Sequence, residues 1–184
     1  MRIIAGLSAA LIVGACFGGL GVQAGADYST SIDFGRYTTF TWDEPDDRPM
    51  GDPRLENNEL FEDRLHAAVA FELSRSGIRE ANSGPGLIVH HHATVRNRVD
   101  VYEADAEAGY SSTGYGEGTQ VVQYDQGTIL VDLADAETKD LIWRGWAQFD
   151  IGRALSDPDL MVEAINEAIT EMFKEFPPRH ETSG

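Results

Sequence analysis

The chain has 184 residues, with 14 Lys and Arg against 31 Asp and Glu and a formal net charge of −17 at pH 7. That length suits one domain with a real core and leaves no room for two comfortable ones. So acidic a chain repels phosphate: Lys139 and Lys174 are its only lysines, so it has no basic stripe to displace counterions from nucleic acid, and anionic lipid headgroups are disfavoured for the same reason.

The opening MRIIAGLSAALIVGACFGGLGVQAG carries one Arg and then an almost uncharged apolar run ending in small residues, the pattern of an export signal. Residues 1–24 are read as a signal peptide; without them 13 basic residues (14 − 1) face 31 acidic ones, a net charge of −18 (13 − 31). Two processing routes stay open. Val22-Gln23-Ala24 before Gly25 has the small-x-small form of an ordinary signal-peptidase site and yields a soluble chain. Val13-Gly14-Ala15-Cys16 has the form of a bacterial lipobox, in which Cys16 is lipidated and becomes the first mature residue. Cys16 is the only cysteine and so has no disulfide partner, but Phe17 to Val22 stays apolar where a tether is usually polar. Both routes place the protein in the periplasm or cell envelope. The soluble form is favoured, and membrane contact arises only through a lipid anchor at Cys16.

The run DYSTSIDFGRYTTFTW, with Phe40 and Trp42 on one face, reads as the first strand. The Pro-rich, acidic DEPDDRPMGDP is a surface linker. Asp52-Pro53 then opens a helix, Asp as cap and Pro in the first turn. Phe61, Leu65, Val69 and Leu73, with Ala68 beside them, form an apolar stripe that Gly77 terminates. Leu87 to Val95 is the next strand, with Leu87, Val89, His91, Ala93 and Val95 on one face and Ile88, His90, His92 and Thr94 on the other.

From Tyr102 to Gly118 the pattern dissolves into a Gly-, Tyr- and acid-rich excursion. Order resumes at Thr119 and continues, through an expected bulge at Gly127, into a hairpin over Gln126 to Asp150. Ile129, Val131 and Leu133 share one face of it with Leu141, Trp143, Gly145, Ala147 and Phe149, while Leu130, Ile142 and Trp146 lie on the other. Trp143 is expected in the core. The last helix repeats the entry device, with Ser156 or Asp157 as cap and Pro158 in the first turn. Met161, Ile165, Ala168, Ile169, Met172, Phe173 and Phe176 form its stripe, and Pro177-Pro178 ends it.

The expected architecture is a single α+β domain over residues 27–178 in the order β-α-β-β-β-α, an antiparallel-rich sheet of about four strands with both helices on one face, followed by a loose tail at 179–184. The crossover helix permits parallel pairing of the first strand with a neighbour.

DYSTSIDFGRYTTFTW, the helix start Asp52-Pro53-Arg54-Leu55, LIVHHHA, GTILVDLADAETKDLIWRGWA and the final helix ending in Phe176-Pro177 together resemble domain-of-unknown-function family 4136, small bacterial cell-envelope proteins of which many are described as lipoproteins. The resemblance covers about Asp27 to Pro178. It implies an envelope location and an α+β domain, and it brings no reaction, ligand, cofactor or catalytic residue with it. Its lipoprotein habit favours lipidation of Cys16; the apolar FGGLGV after that residue departs from the family pattern.

Chemistry-bearing residues are few. His90 and His92 point the same way along a strand, their alpha carbons about 6.5–7 Å apart, close enough for two imidazoles to share a metal. Such a site needs further ligands, which His66 or an acid could supply. Glu103, Asp105 and Glu107 alternate as in a calcium loop, but Ala108 and Gly114 stand where an EF-hand needs Gly and a bidentate acid. Tyr110 and Tyr115 among glycines could grip a partner strand beside an exposed sheet edge. The sequence contains no G-x-S-x-G, no phosphate-cradling G-x-x-x-x-G-K and no H-E-x-x-H. The expected function is therefore an exported, non-catalytic binding or scaffolding module without a cofactor, whose partner is an envelope protein or a second copy. The alternative is a periplasmic small-ligand or metal-binding protein using the His90 and His92 strand face.

Overall fold

The computed structural model describes residues 21–43, 55, 59–103 and 119–177, with the side chains of 100–103 and 119–122 excepted. Cys16, the linker over 44–50, Asp52-Pro53, Tyr110, Tyr115 and the tail at 179–184 lie outside the described residues.

Strands β1 (Gln23–Tyr28), β2 (Thr39–Trp42), β3 (Arg79–Glu80), β4 (Leu87–Glu103), β5 (Thr119–Asp135) and β6 (Leu141–Asp150) make one sheet in the order β1-β6-β5-β4-β2-β3. Helix α1 (Glu59–Arg75) connects β2 to β3, and α2 (Pro158–Phe173) closes the chain. The class is α+β, as the sequence implies. The sheet, however, has six strands and is mixed: β1, β6, β5 and β4 pair antiparallel, while β2 pairs parallel with both β4 and β3. The four-strand, antiparallel-rich expectation is corrected in both respects. It missed β1, whose Gln, Ala and Gly residues lack strand propensity, and β3, which is two residues long.

Local chemistry accounts for the element ends. Gly77 has a φ of 74° and closes α1 in a Schellman motif, with Ile78 N donating to Leu73 O at 2.9 Å and Gly77 N to Ser74 O at 2.9 Å. Asp157 caps α2 by accepting from Asp159 N at 3.0 Å and Leu160 N at 3.2 Å, and Pro158 occupies the first turn. In the β5–β6 turn the Asp135 carboxylate accepts from Glu137 N at 2.8 Å, Thr138 N at 3.0 Å and Tyr37 Oη at 2.7 Å. The irregularity expected at Gly127 falls instead between Leu133 and Ala134. That shift leaves Leu141 48% exposed and buries Ile142, reversing their expected sides.

Both helices cover the same sheet face. His91, Val131 and Gly145 are register partners across β4, β5 and β6 and so share that face; His66 of α1 meets His91 at one end of the row, and Met172 of α2 sits over Gly145 at the other. Phe61, Leu65, Val69 and Leu73 of α1, with Ile165, Ile169 and Met172 of α2, pack there against Val89, Val131, Trp143 and Phe149, all buried. Thr170 Oγ1 bonds Glu72 Oε1 at 3.1 Å and ties the helices together. On the opposite face His90, Asp132, Arg144 and Asp27 stand in one register row and His92, Leu130, Trp146 and Gly25 in the next.

The β4–β5 ladder continues from Asn97↔Asp125 to Glu103↔Thr119, past the last β5–β6 pair at Gln126↔Asp150. On its other side β4 loses β2 after Trp42↔Val89. Ile151 N still donates to Asp125 O at 2.9 Å; from Arg98↔Tyr124 outward, β4 and β5 pair only with each other among the described residues, as a two-stranded ribbon.

Candidate metal centre

Alternation along β4 sends His91 under the helices and His90 and His92 to the open face. The pair singled out from the sequence is therefore split from the covered cluster. His90 Nδ1 pairs with Asp43 Oδ2 at 2.8 Å, and His92 is exposed in the row of Leu130 and Trp146. Among the described residues, neither joins a grouping of three ligand-type side chains.

Glu62, His66 and His91 do form such a grouping, with one ligand atom from each lying within 4.8 Å of the others. Glu62 and His66 are one helical turn apart, at i and i+4, so α1 presents them on one face. His66 stacks on Trp42 of β2 with ring centroids 3.8 Å apart and planes at 16°, and it meets His91 edge-on at 5.1 Å. Trp42 also meets His91 edge-on at 6.2 Å. The sequence reading named His66 only as an optional helper and passed over His91. The signal was present: His91 shares its face with Leu87, Val89, Ala93 and Val95, the parity of the core.

His66 Nε2 and His91 Nε2 are both buried without a hydrogen-bond partner among the described residues. Glu62 Oε2 stands 3.7 Å from His91 Nε2, beyond hydrogen-bond range. Burial first, and His91 second, hold His66 below the ordinary imidazole value; burial first, and then His92 and His90, do the same for His91. Both shifts favour the neutral imidazole, whose unprotonated nitrogen can serve as a ligand. Glu62 is partly exposed, at 30% of its side chain, and forms the solvent side of the cluster.

The open face carries a second ordered feature. Asp132 accepts from Arg144 Nε and Nη2, both at 2.6 Å, a bidentate pair across neighbouring strands. Beside it the Trp146 ring lies over Gly25, where a Cβ would stand 3.0 Å from the indole.

These features define an α+β domain with one sheet face covered by the helices, the other open among the described residues, and a two-histidine, one-carboxylate cluster between helix and sheet. The chain belongs to the DUF4136 family, a domain of unknown function, which it matches over residues 24–178. No curated protein matches it. Among solved structures it is similar to a PDZ domain protein from Parabacteroides distasonis, at 12% identity and a TM-score of 0.53, over 84% of this chain and 35% of that one. It is also similar to a PelC dodecamer from Paraburkholderia phytofirmans, at 9% identity and a TM-score of 0.43, over 82% of this chain and 96% of that one. The chain thus spans about a third of the first structure, and that likeness is one of fold. No helix among the described residues is long and apolar enough to cross a membrane.

Proposed function

We propose that the protein is an exported cell-envelope module, non-catalytic, that binds or scaffolds an envelope component through the β4–β5 ribbon. The ribbon carries this reading. A two-stranded ribbon is at best marginally stable alone in water, and unpaired strand edges are templates for pairing with another chain. A ribbon that, from Arg98↔Tyr124 outward, has no further strand on either edge among the described residues is suited to completion by a partner. The residues joining its strands, 104–118, include Tyr110 and Tyr115, which in this reading enlarge the contact. With a net charge of −17, the chain favours a partner surface that is positively charged.

The register of β1 bears on how the module is held in the envelope. Gln23 and Ala24 pair with Gln148 and Ala147, so cleavage after Ala24 removes the first two of the strand's six residues, whereas cleavage before Cys16 leaves β1 whole. This supports the lipid-anchored route over the soluble one.

A pull-down from crosslinked envelopes tests the function. The intact chain is expected to recover a protein partner or a second copy; a chain whose residues 97–125 are replaced by an Asn-Gly turn is expected to fold, by circular dichroism, and to recover neither. Equal recovery by both chains, or a monodisperse monomer with no partner, contradicts the proposal.

A further inference from the structure

We propose that Glu62, His66 and His91 bind one first-row transition-metal dication, zinc foremost, leaving the remaining coordination positions to water. The site lies on the helix-covered face and is independent of the ribbon. Three observations carry it. The donor set is two imidazoles and one carboxylate, which suits zinc and its neighbours, whereas calcium and magnesium want oxygen ligands throughout. Two imidazole nitrogens, His66 Nε2 and His91 Nε2, are buried with no hydrogen-bond partner among the described residues, and a buried polar atom without a partner calls for a ligand or ion. The spacing is also close to that of a coordination shell. Bonds of about 2.0–2.1 Å to a tetrahedral ion put ligand atoms roughly 3.3 Å apart; His91 Nε2 and Glu62 Oε2 are 3.7 Å apart, and all three ligand atoms lie within 4.8 Å. Contractions of up to about 1.5 Å are within reach of side-chain rotation, above all at the flexible Glu62.

The surroundings fit the same assignment. Trp42 stacked on His66 restrains the ring of the helix ligand. Glu62 supplies the one carboxylate of the set, the ligand type that offsets part of a dication's charge. The partial exposure of Glu62 gives the ion a way in. With three protein ligands, the site keeps at least one position for water or an exogenous donor atom.

The test is titration of the untagged full chain, with Cys16→Ser so that no thiol contributes, using zinc and cobalt(II). One equivalent is expected to bind, with a raised melting temperature for zinc and visible d–d absorption for cobalt. Glu62→Gln, His66→Asn and His91→Asn are each expected to weaken binding about tenfold or more, while His90→Asn and His92→Asn leave it unchanged. Because His91 lies under α1, Glu62→Gln and His66→Asn decide the matter if His91→Asn does not fold. Absence of saturable binding overturns the proposal. So does binding that survives both Glu62→Gln and His66→Asn, or binding lost instead in the His90 and His92 variants.

Discussion

Trp42 of β2 and His66 of α1 stack with their ring centroids 3.8 Å apart, fastening the helix to the parallel side of the sheet and turning the imidazole toward His91. Trp42→Ala is therefore expected to act twice. It removes a stacked aromatic worth about 0.5–1.5 kcal/mol beyond its buried area, and it frees the His66 ring. Urea denaturation should show the stability loss. Zinc titration should show weaker binding even though no ligand has been changed.

Gly145 is where α2 comes closest to the sheet. A Cβ there would overlap Met172 and the Trp143 ring, neither of which has room to retreat because both are fully buried. Gly145→Ala should cost about 1–3 kcal/mol as the helix is pushed off β6, read as a lower urea midpoint at an unchanged slope.

The Tyr37–Asp135 bond gives stability a pH dependence at both ends. The Tyr37 hydroxyl, then the Thr138 and Glu137 N–H groups, hold the Asp135 carboxyl below the usual carboxylate range. A depressed carboxyl contributes stability above its unfolded value of about 3.9, and that contribution is lost as pH falls through the lower folded value. Burial, then Asp135, push the Tyr37 hydroxyl up to about 12. Its contribution is complete below the unfolded value of about 10 and is lost as pH rises toward the folded one. Tyr37→Phe should therefore lower stability at pH 7 by about 1–3 kcal/mol. Unfolding curves across pH should show the gap between the two proteins narrowing in acid and again in strong alkali.

Asp132 is 8% exposed and has Arg144 as its bidentate partner. Arg144→Ala leaves that carboxylate without the bond and should cost about 1–3 kcal/mol, toward the lower end because the arginine itself is half exposed. Arg144→Lys should recover only part of it, since an ammonium cannot reproduce the fork. A double-mutant cycle with Asp132→Asn measures the coupling.

The strand β1 makes a further comparison quantitative. A chain begun at Gly25 loses the register pairs of Gln23 and Ala24 and should be less stable than one begun at Cys16 by about 0.5–2 kcal/mol. Side-by-side thermal melts check this, and the N-terminal mass of the protein isolated from its own cells shows which form the cell makes.

Much of the fold was legible in residue spacing. The α1 and α2 stripes, the Gly77 stop, the Asp157-Pro158 start and the burial of Trp143 each follow from one local rule, and the structure agrees with each. What escaped depends on information that spacing does not hold. Gln23–Tyr28 is a strand only because β6 offers it an edge, and in the sequence it looks like the end of an export signal. The sides of Leu141 and Ile142 depend on where the irregularity falls, and no glycine or proline marks that place. The histidine run shows its alternation plainly: His90 and His92 match each other, while His91 matches the core. Pairing His91 with Glu62 and His66 requires knowing that α1 lies over β4, which is a tertiary fact.

Site-specific photocrosslinking in intact cells tests whether the ribbon is the contact surface. A photoreactive residue at Val99, 55% exposed on the ribbon, is compared with one at Phe71, 62% exposed on α1. A ribbon that contacts a partner gives a discrete crosslinked species from Val99 and none from Phe71. No adduct from Val99, or the same adduct from both positions, would contradict it.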